Sequence, residues 1–177
     1  MGLILQHLEA GFGQGQWRSL LSALLLVWVL SCYLVVAYRL SVIDVREHRL
    51  PNRLVFPLYA QVGAPLCIVA LLGESPCEDT RTIAYGGALM LGFYGIMRLA
   101  SRGALGLGDV KLAGVLGMLL GFFSLENLLW GNLLIFLLGG ITAIALVISR
   151  KATAKTHIAF GPFMLLGTLL AVLLPAT

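Results

Sequence analysis

The chain has 177 residues, of which 59% are hydrophobic and 11% are charged. Soluble domains carry about 25% charged residues, so this composition excludes an ordinary water-soluble globule and predicts an all-α protein that crosses a lipid bilayer several times. The formal net charge of +4 is expected to come from basic loops on one side of the membrane, and we expect no nucleic-acid partner.

Residues 1–19 precede the first long apolar stretch. They lack the basic start and the small-residue cleavage site of a secretory signal peptide, so the apolar stretch that follows them is predicted to be a signal anchor. We expect two parts: an extracytoplasmic N-terminal segment, residues 1–19, and a membrane-embedded domain, residues 20–177.

Six apolar stretches are candidates to cross about 30 Å of hydrocarbon at about 1.5 Å per helical residue. In chain order they are Leu20–Leu40, Leu54–Leu72, Ile83–Leu99, Val110–Phe123, Leu128–Ile148 and Ile158–Leu174. The fourth is short, and only Ser124-Leu125-Glu126-Asn127 separates it from the fifth. Tilt, or a helix that also includes Gly108 and Asp109, would add the missing length.

The Lys and Arg residues indicate how the helices are oriented. Ten of the twelve are predicted to lie on one side, and only Arg18 and Arg81 on the other. The positive-inside tendency assigns the more basic side to the cytoplasm, which makes both termini extracytoplasmic. The loop Gly73–Thr80, which carries three acidic residues, is predicted to be external. Asp44 and Asp109 are predicted to lie at the cytoplasmic edge of a bacterial inner membrane.

Asp44 follows the first apolar stretch and precedes Leu50-Pro51-Asn52. A carboxylate costs roughly 2.5–3.5 kcal/mol near the bilayer centre and less near its edge, so a membrane protein seldom keeps one without a use. The proline is expected to end any extension of the first helix, and Asn52 is predicted to cap the second. For Asp44 alone, an ion pair with Arg46 or Arg49 is the simpler explanation.

Asp109 follows glycines in the run Gly106-Leu107-Gly108-Asp109-Val110-Lys111-Leu112. Because glycine permits close approach of another backbone, Gly106 and Gly108 are candidates to admit an extended substrate. The alternative is a flexible turn before a tightly packed helix, since Gly117-xxx-Gly121 is an ordinary helix-contact pattern. Lys111 lies about 200° round a regular helix from Asp109, so it is expected to reach the cytoplasmic interface. An electrostatic role for it requires the helix to begin later.

The three cysteines give no support for a metal site. Cys32, Cys67 and Cys77 form no C-x-x-C motif, and the three histidines lie in different parts of the chain. We predict that the cysteines are small packing residues.

Three segments in this order resemble the signature regions of bacterial type IV prepilin peptidases, the membrane aspartic proteases named for G-x-G-D. They are Asp44 with Leu50-Pro51-Asn52, the run from Gly106 to Leu112, and Phe160-Gly161-Pro162-Phe163. The resemblance covers nearly the whole chain. It implies a leader peptidase that cleaves prepilin or pseudopilin subunits at the cytoplasmic membrane edge with Asp44 and Asp109, in the context of pilus or secretion assembly machinery. The last segment is expected to shape the start of the sixth helix beside the site.

Longer members of that family carry a domain with paired C-x-x-C motifs near the N-terminus and also methylate the new amino terminus. This sequence contains no such motif and is more similar to the short, peptidase-only forms. The resemblance therefore implies peptidase activity and does not extend to N-methylation.

The chemistry of two neighbouring carboxyls agrees with this implication. Within a few ångströms both cannot ionise at low cost, so one is expected to stay protonated. The ionised carboxylate can take a proton from water while the protonated one polarises the scissile carbonyl. No metal or organic cofactor is required.

Two other classes of protein would also fit parts of the pattern. A small proton-coupled transporter component would bury paired carboxylates, but usually near the bilayer midplane and beside broken helices. A non-enzymatic scaffold would need neither aspartate, so normal pilus maturation by an Asp44→Ala variant would favour it.

Overall fold

The computed structural model describes residues 17–47, 50–149 and 159–173, and within these ranges the chain forms helices and no strand. The elements are α1 (Trp17–Glu47), α2 (Asn52–Leu58), a π-helical turn (Tyr59–Gly63), α3 (Ala64–Leu72), α4 (Pro76–Ala100), α5 (Leu107–Phe123), α6 (Leu125–Ile148) and α7 (Gly161–Leu173). The π-helical turn joins α2 and α3 into one continuous helix. The predicted all-α membrane fold is confirmed.

Four of these helices are long and apolar enough to cross a membrane by themselves: α1, the continuous helix Asn52–Leu72, α4 and α6. The other two, α5 with 17 residues and α7 with 13, are shorter. Helices thus occupy all six predicted positions among the described residues. The number of complete crossings and the side on which each terminus lies stay predictions.

The short helix α5 lies inside the bundle. Eleven of its 17 residues are buried, and it contacts α2, α3, α4, α6 and α7. A helix covered by protein does not have to match the hydrocarbon thickness at its own surface, which explains how α5 can be short. Its observed start at Leu107 includes Gly108 and Asp109, which is one of the two predicted ways to add length.

Two predicted boundaries are wrong because polar residues extend the helices past the apolar stretches. α1 continues beyond Leu40 to Glu47, so Asp44 lies inside this helix rather than in a loop. α4 begins at Pro76 rather than Ile83, with Glu78 and Asp79 in its first turn instead of in a loop. Proline at the start and acids in the first turn are both favourable at a helix N-terminus.

One helix is capped where no cap was predicted, and the one predicted cap is wrong. Ser124 separates α5 from α6 by itself, and its hydroxyl accepts a hydrogen bond from the Asn127 amide at 2.9 Å, as a helix-capping serine does. Asn52 is the first residue of α2 and not its cap, a position that Pro51 occupies without a side-chain hydrogen bond.

Glycines allow α4 and α5 to pack with their backbones in contact. A Cβ at Gly86 would collide with the carbonyl oxygen of Gly117, and one at Gly121 would collide with that of Thr82. The helix-contact interpretation of Gly117-xxx-Gly121 is therefore confirmed. This close packing fixes the α5 backbone against α4.

The π-helical turn makes a further contact with α5. A π-helical turn locally changes the direction of side chains, and here the Tyr59 hydroxyl donates to the carbonyl oxygen of Lys111 at 2.6 Å. Gly114 lies beside the same hydroxyl, where a Cβ would collide with it. The turn thus packs directly against the first two turns of α5.

Several residues named in the sequence analysis lie outside the described ranges. These are residues 1–16 of the N-terminal segment, the predicted cytoplasmic cations Arg49, Arg150, Lys151 and Lys155, and the ends of the sixth stretch at Ile158 and Leu174. Residues Trp17–Ser19 belong to α1.

Candidate active site

Asp44 lies in the last turn of α1, and its side chain turns into the protein. The residue is 5% exposed. Its Oδ2 accepts a hydrogen bond of 2.8 Å from the backbone amide of Gly161, the first residue of α7. A buried carboxyl is costly without hydrogen-bond partners, and this bond supplies one from a distant part of the chain.

Asp109 is the third residue of α5 and is 8% exposed. Gly106 precedes the helix with an extended backbone, and its amide hydrogen-bonds to the Asp109 carboxyl. An acidic residue at this position commonly bonds back to the amide of the capping residue, and the positive end of the helix dipole favours it. The glycine and the aspartate of the motif are therefore linked within one turn.

The structure brings the two aspartates together from different helices. The Asp44 and Asp109 carboxyls are near enough for the charge of one to act on the other, and both are buried. Each is also held by a backbone amide at the start of a helix, α7 for Asp44 and α5 for Asp109. The pair forms one site at the ends of three helices.

Leu50 packs between the start of α5, which carries Asp109, and the start of α7, whose first amide bonds Asp44. A Cβ on Gly108 would lie 2.5 Å from the Leu50 Cβ and 3.2 Å from its carbonyl oxygen, while one on Gly161 would lie 3.5 Å from the Leu50 Cδ2. The close backbone approach expected at Gly108 is therefore made by the chain itself. Leu50 belongs to one of the three signature segments, but the sequence did not predict this contact.

Lys111 lies on the side of α5 that faces α2. Its Nζ donates to Asn52 Oδ1 at 3.0 Å and lies 5.0 Å from the centre of the Phe56 ring. These contacts join α5 to the start of α2, and the Tyr59 bond to the Lys111 carbonyl adds to them. They place Lys111 as a link between the glycine motif and the Pro51-Asn52 segment.

An aromatic cluster lies beside the aspartates and was not found by sequence reasoning. Tyr94 is fully buried, interacts electrostatically with Asp109, and donates through its hydroxyl to Asn132 Oδ1 at 3.2 Å. Its ring stacks on Phe136 at 5.9 Å between ring centres and tilts against Phe160 at 6.3 Å. Phe160 directly precedes Gly161, so this cluster reaches both sides of the site. No spacing in the sequence marks Tyr94 or Asn132.

A second group missed by sequence reasoning braces the loop before Asp109. Arg98, in the last turn of α4, donates to the carbonyl oxygen of Leu105 and accepts from the Gly103 amide at 2.9 Å through its own carbonyl. The predicted role of Arg98 was only to mark the cytoplasmic side. In the structure it fixes the path of the chain into Gly106.

The described part of the chain contains no group of three or more His, Cys, Asp or Glu residues placed to hold a metal ion. The three cysteines are free, with Cys32 and Cys67 half-buried and Cys77 exposed. The predicted packing role fits the two half-buried cysteines.

The sequence comparisons agree with this architecture. The sequence model of the Type IV leader peptidase family matches residues 25–149. The chain is 33% identical over 159 residues to the prepilin leader peptidase/N-methyltransferase of Aeromonas salmonicida (strain A449), covering 89% of this chain and 50% of that protein. It is also 33% identical over 141 residues to the protein of the same name from Escherichia coli (strain K12), covering 78% and 59%. No solved structure gives a significant match.

The fold and the site define a class: a helical membrane protein with two buried aspartates at adjoining helix ends. The chain belongs to the type IV leader peptidase family. It spans about half the length of the curated Aeromonas relatives that it matches.

Proposed function

We propose that this protein is an aspartic endopeptidase that removes the leader peptide of type IV prepilin-like proteins. The observation that carries the proposal is the buried pair of Asp44 and Asp109 in a membrane protein of the leader peptidase family. Two interacting carboxyls in a water-poor site are suited to acid–base chemistry, because their mutual repulsion favours a shared proton on one of them.

In the proposed reaction both aspartates are catalytic and water is the nucleophile. The ionised carboxylate takes a proton from water, whose oxygen adds to the scissile carbonyl carbon, while the protonated carboxyl gives its proton to the carbonyl oxygen. The C–N bond then breaks as the newly protonated aspartate gives its proton to the departing amine, and a hydroxyl of the tetrahedral intermediate returns a proton to the other aspartate as the carboxylic acid forms. Each aspartate ends as it began, so no cofactor enters the balance.

Gly106 is the proposed point of contact with the extended cleavage site. It is exposed, while the Asp109 carboxyl beside it is buried, and a Cβ on Gly106 would lie 2.9 Å from Asp109 Oδ2. A substrate strand can thus approach the carboxyl here with no side chain in between. Gly108 and Lys111 have supporting roles in this proposal, through their contacts with Leu50 and Asn52.

The proposed location is the inner membrane of a bacterium, with the site on the cytoplasmic side and residues 1–19 outside. Prepilin or pseudopilin subunits are the proposed substrates, and pilus or secretion assembly machinery the proposed setting. Residues 20–177 form the membrane-embedded peptidase domain. The proposal covers cleavage and does not include N-methylation.

The proposal predicts that both aspartates are indispensable and act as one unit. Asp44→Asn and Asp109→Asn should each reduce cleavage of a co-expressed prepilin by at least about 1,000-fold, and the double variant should be no worse, because members of a catalytic unit are non-additive. The measurement is the mass of the prepilin N-terminus, which reports cleavage, cut position and methylation together.

Glu47→Gln is the matched control, since it removes an exposed acid one turn after Asp44 on the same helix. This variant should process prepilin normally. Substantial turnover by either single aspartate variant at normal expression would disprove the assignment. If the wild-type protein leaves every prepilin-like substrate uncut, a transporter or scaffold becomes the better explanation.

A further inference from the structure

The start of α7 presents one backbone amide to Asp44. Of the first four residues of this helix, Pro162 has no N–H, and the amides of Phe163 and Met164 donate to the carbonyl oxygen of Phe160 at 3.1 and 3.2 Å. The Gly161 amide donates to Asp44 Oδ2 at 2.8 Å. The sequence around Gly161 thus directs a single N–H at the carboxyl.

The contact between residue 161 and the Asp44 carboxyl is so close that it requires glycine. A Cβ on Gly161 would lie 2.7 Å from Asp44 Oδ2 and 3.3 Å from its Cγ. The first distance is shorter than a carbon–oxygen contact allows, so a side chain here would push the carboxyl away from the amide. An alanine would therefore keep the N–H donor and still disturb the hydrogen bond.

The aromatic cluster fixes the amide from the other side. The Phe160 ring lies 5.9 Å from that of Phe136 and 6.3 Å from that of Tyr94, between ring centres. A Cβ on Gly139 would come within 3.1 Å of Phe160, so α6 also packs closely against this ring. Because Phe160 is held in this way, its packing in the core sets the position of the next peptide unit.

We propose that Gly161 is a positioning residue for Asp44, which fixes the catalytic carboxylate by a hydrogen bond from the N-terminus of α7. The amide orients the carboxyl at the positive end of the helix dipole. This inference rests on the proposed peptidase function for its catalytic meaning. The physical coupling between Gly161 and Asp44 can be tested without any substrate.

The test is a double-variant cycle on stability, built from Asp44→Ala and Gly161→Ala. Thermal unfolding is followed for the full chain in one detergent. In the wild-type background Gly161→Ala should lower the Tm by about 2–6 °C, because the new methyl group meets the carboxyl. In the Asp44→Ala background the same change should lower the Tm by less than half as much, since the atoms that it would meet are gone.

Gly167→Ala is the matched control on the same helix. Its Cβ would lie 2.6 Å from the Ile135 Cγ1 and 2.7 Å from the Ile135 amide nitrogen, at a distance from Asp44 along α7. Its loss of Tm should be the same with and without the Asp44 carboxyl. If the Gly161→Ala loss is also the same in both backgrounds, the proposal is overturned. If the Gly161→Ala protein inserts into the membrane only when Asp44 is also replaced, that result would support the proposal.

Kinetics supply the catalytic half of the test. Gly161→Ala should lower kcat for prepilin cleavage at least tenfold while KM changes less than about twofold, because the substrate-binding surface is intact and the carboxylate is displaced. An unchanged kcat, or a rise in KM alone, would overturn the positioning role. A wild-type protein with no peptidase activity would remove the proposed function and leave the stability coupling standing, so the two failures are distinguishable.

Discussion

At the scale of single residues, the candidate site depends on places where a side chain is missing. Gly108 and Gly161 both face Leu50, and each lies next to a backbone or carboxyl atom with no space for a Cβ. Glycine costs conformational entropy, so its use at two contact points beside the aspartates indicates that close approach outweighs this cost. The spacing of the carboxyls is thereby set by backbone contacts.

Gly108 provides a prediction about cleavage. Gly108→Val should lower prepilin processing at least tenfold, because its side chain would overlap Leu50 and move the first turn of α5 that carries Asp109. Gly95→Ala is the control, since a Cβ there meets nothing within 4 Å. The measurement is the processed fraction of prepilin at matched enzyme levels. Normal processing by Gly108→Val would contradict the role given to Leu50.

A second residue-scale prediction concerns charge on the leader peptide. Asp44, Glu47 and Asp109 are the acids predicted on the cytoplasmic side, against ten Lys and Arg residues. Broad attraction of a basic leader to such a surface is weak, so neutralising one leader Lys should change processing less than about threefold. A loss as large as that of Gly108→Val in the same membranes would show that charge recognition dominates.

At the scale of elements, the π-helical turn connects the second long helix to the start of α5. The Tyr59 hydroxyl reaches the Lys111 carbonyl from this turn, and Lys111 in turn reaches Asn52. Two hydrogen bonds thus join the same pair of helices, one donated by Tyr59 to α5 and the other donated by Lys111 of α5 to α2. They restrain the segment that follows Asp109, while the bonds of Gly106 and Arg98 restrain the segment before it.

Tyr59→Phe should therefore destabilise the protein modestly and reduce activity. Loss of one partly buried hydrogen bond costs about 0.5–1.5 kcal/mol, which corresponds to a Tm decrease of about 1–6 °C for a chain of this size. Tyr85→Phe is the control because Tyr85 is 60% exposed. Thermal unfolding and prepilin cleavage are measured on both variants. Equal effects of the two changes would show that the Tyr59 bond does not restrain α5.

At the scale of the whole molecule, the orientation of the helices across the membrane rests on the distribution of Lys and Arg alone. The positive-inside argument predicts that Cys77, which is exposed in the first turn of α4, faces the outside. A membrane-impermeant maleimide should label Cys77 in intact spheroplasts. A cysteine introduced at exposed Ser101, at the other end of α4 and in a chain without other cysteines, should be labelled only after the membrane is opened. The reverse result would invert the topology.

The sequence predicted those features of the fold that depend on a pattern along the chain. Apolar stretches predicted where the helices lie, because the bilayer requires long uncharged segments. The apolar stretches did not predict helix ends such as Ser41–Glu47 and Pro76–Thr82. A helix can continue in water or at the membrane interface without apolar residues. Motifs indicated both aspartates and Phe160–Phe163, the segment whose amide reaches Asp44.

The partners of the aspartates were harder to predict. Tyr94 and Asn132 carry no local signal, because their importance comes from neighbours far away in the chain. Arg98 was interpreted through its charge, although its hydrogen bonds to the loop decide its place. Such contacts depend on three-dimensional packing, which hydropathy and spacing do not encode.

The burial of α5 has a consequence for how the protein responds to its surroundings. After Leu107 every residue of this helix is buried or half-buried. The helix is therefore surrounded mainly by other parts of the protein and not by lipid acyl chains. A thicker or thinner bilayer is met by the outer helices, which tilt to match it. The depth of Asp109 is then a property of the bundle, and the same site can be carried unchanged into membranes of different lipid composition.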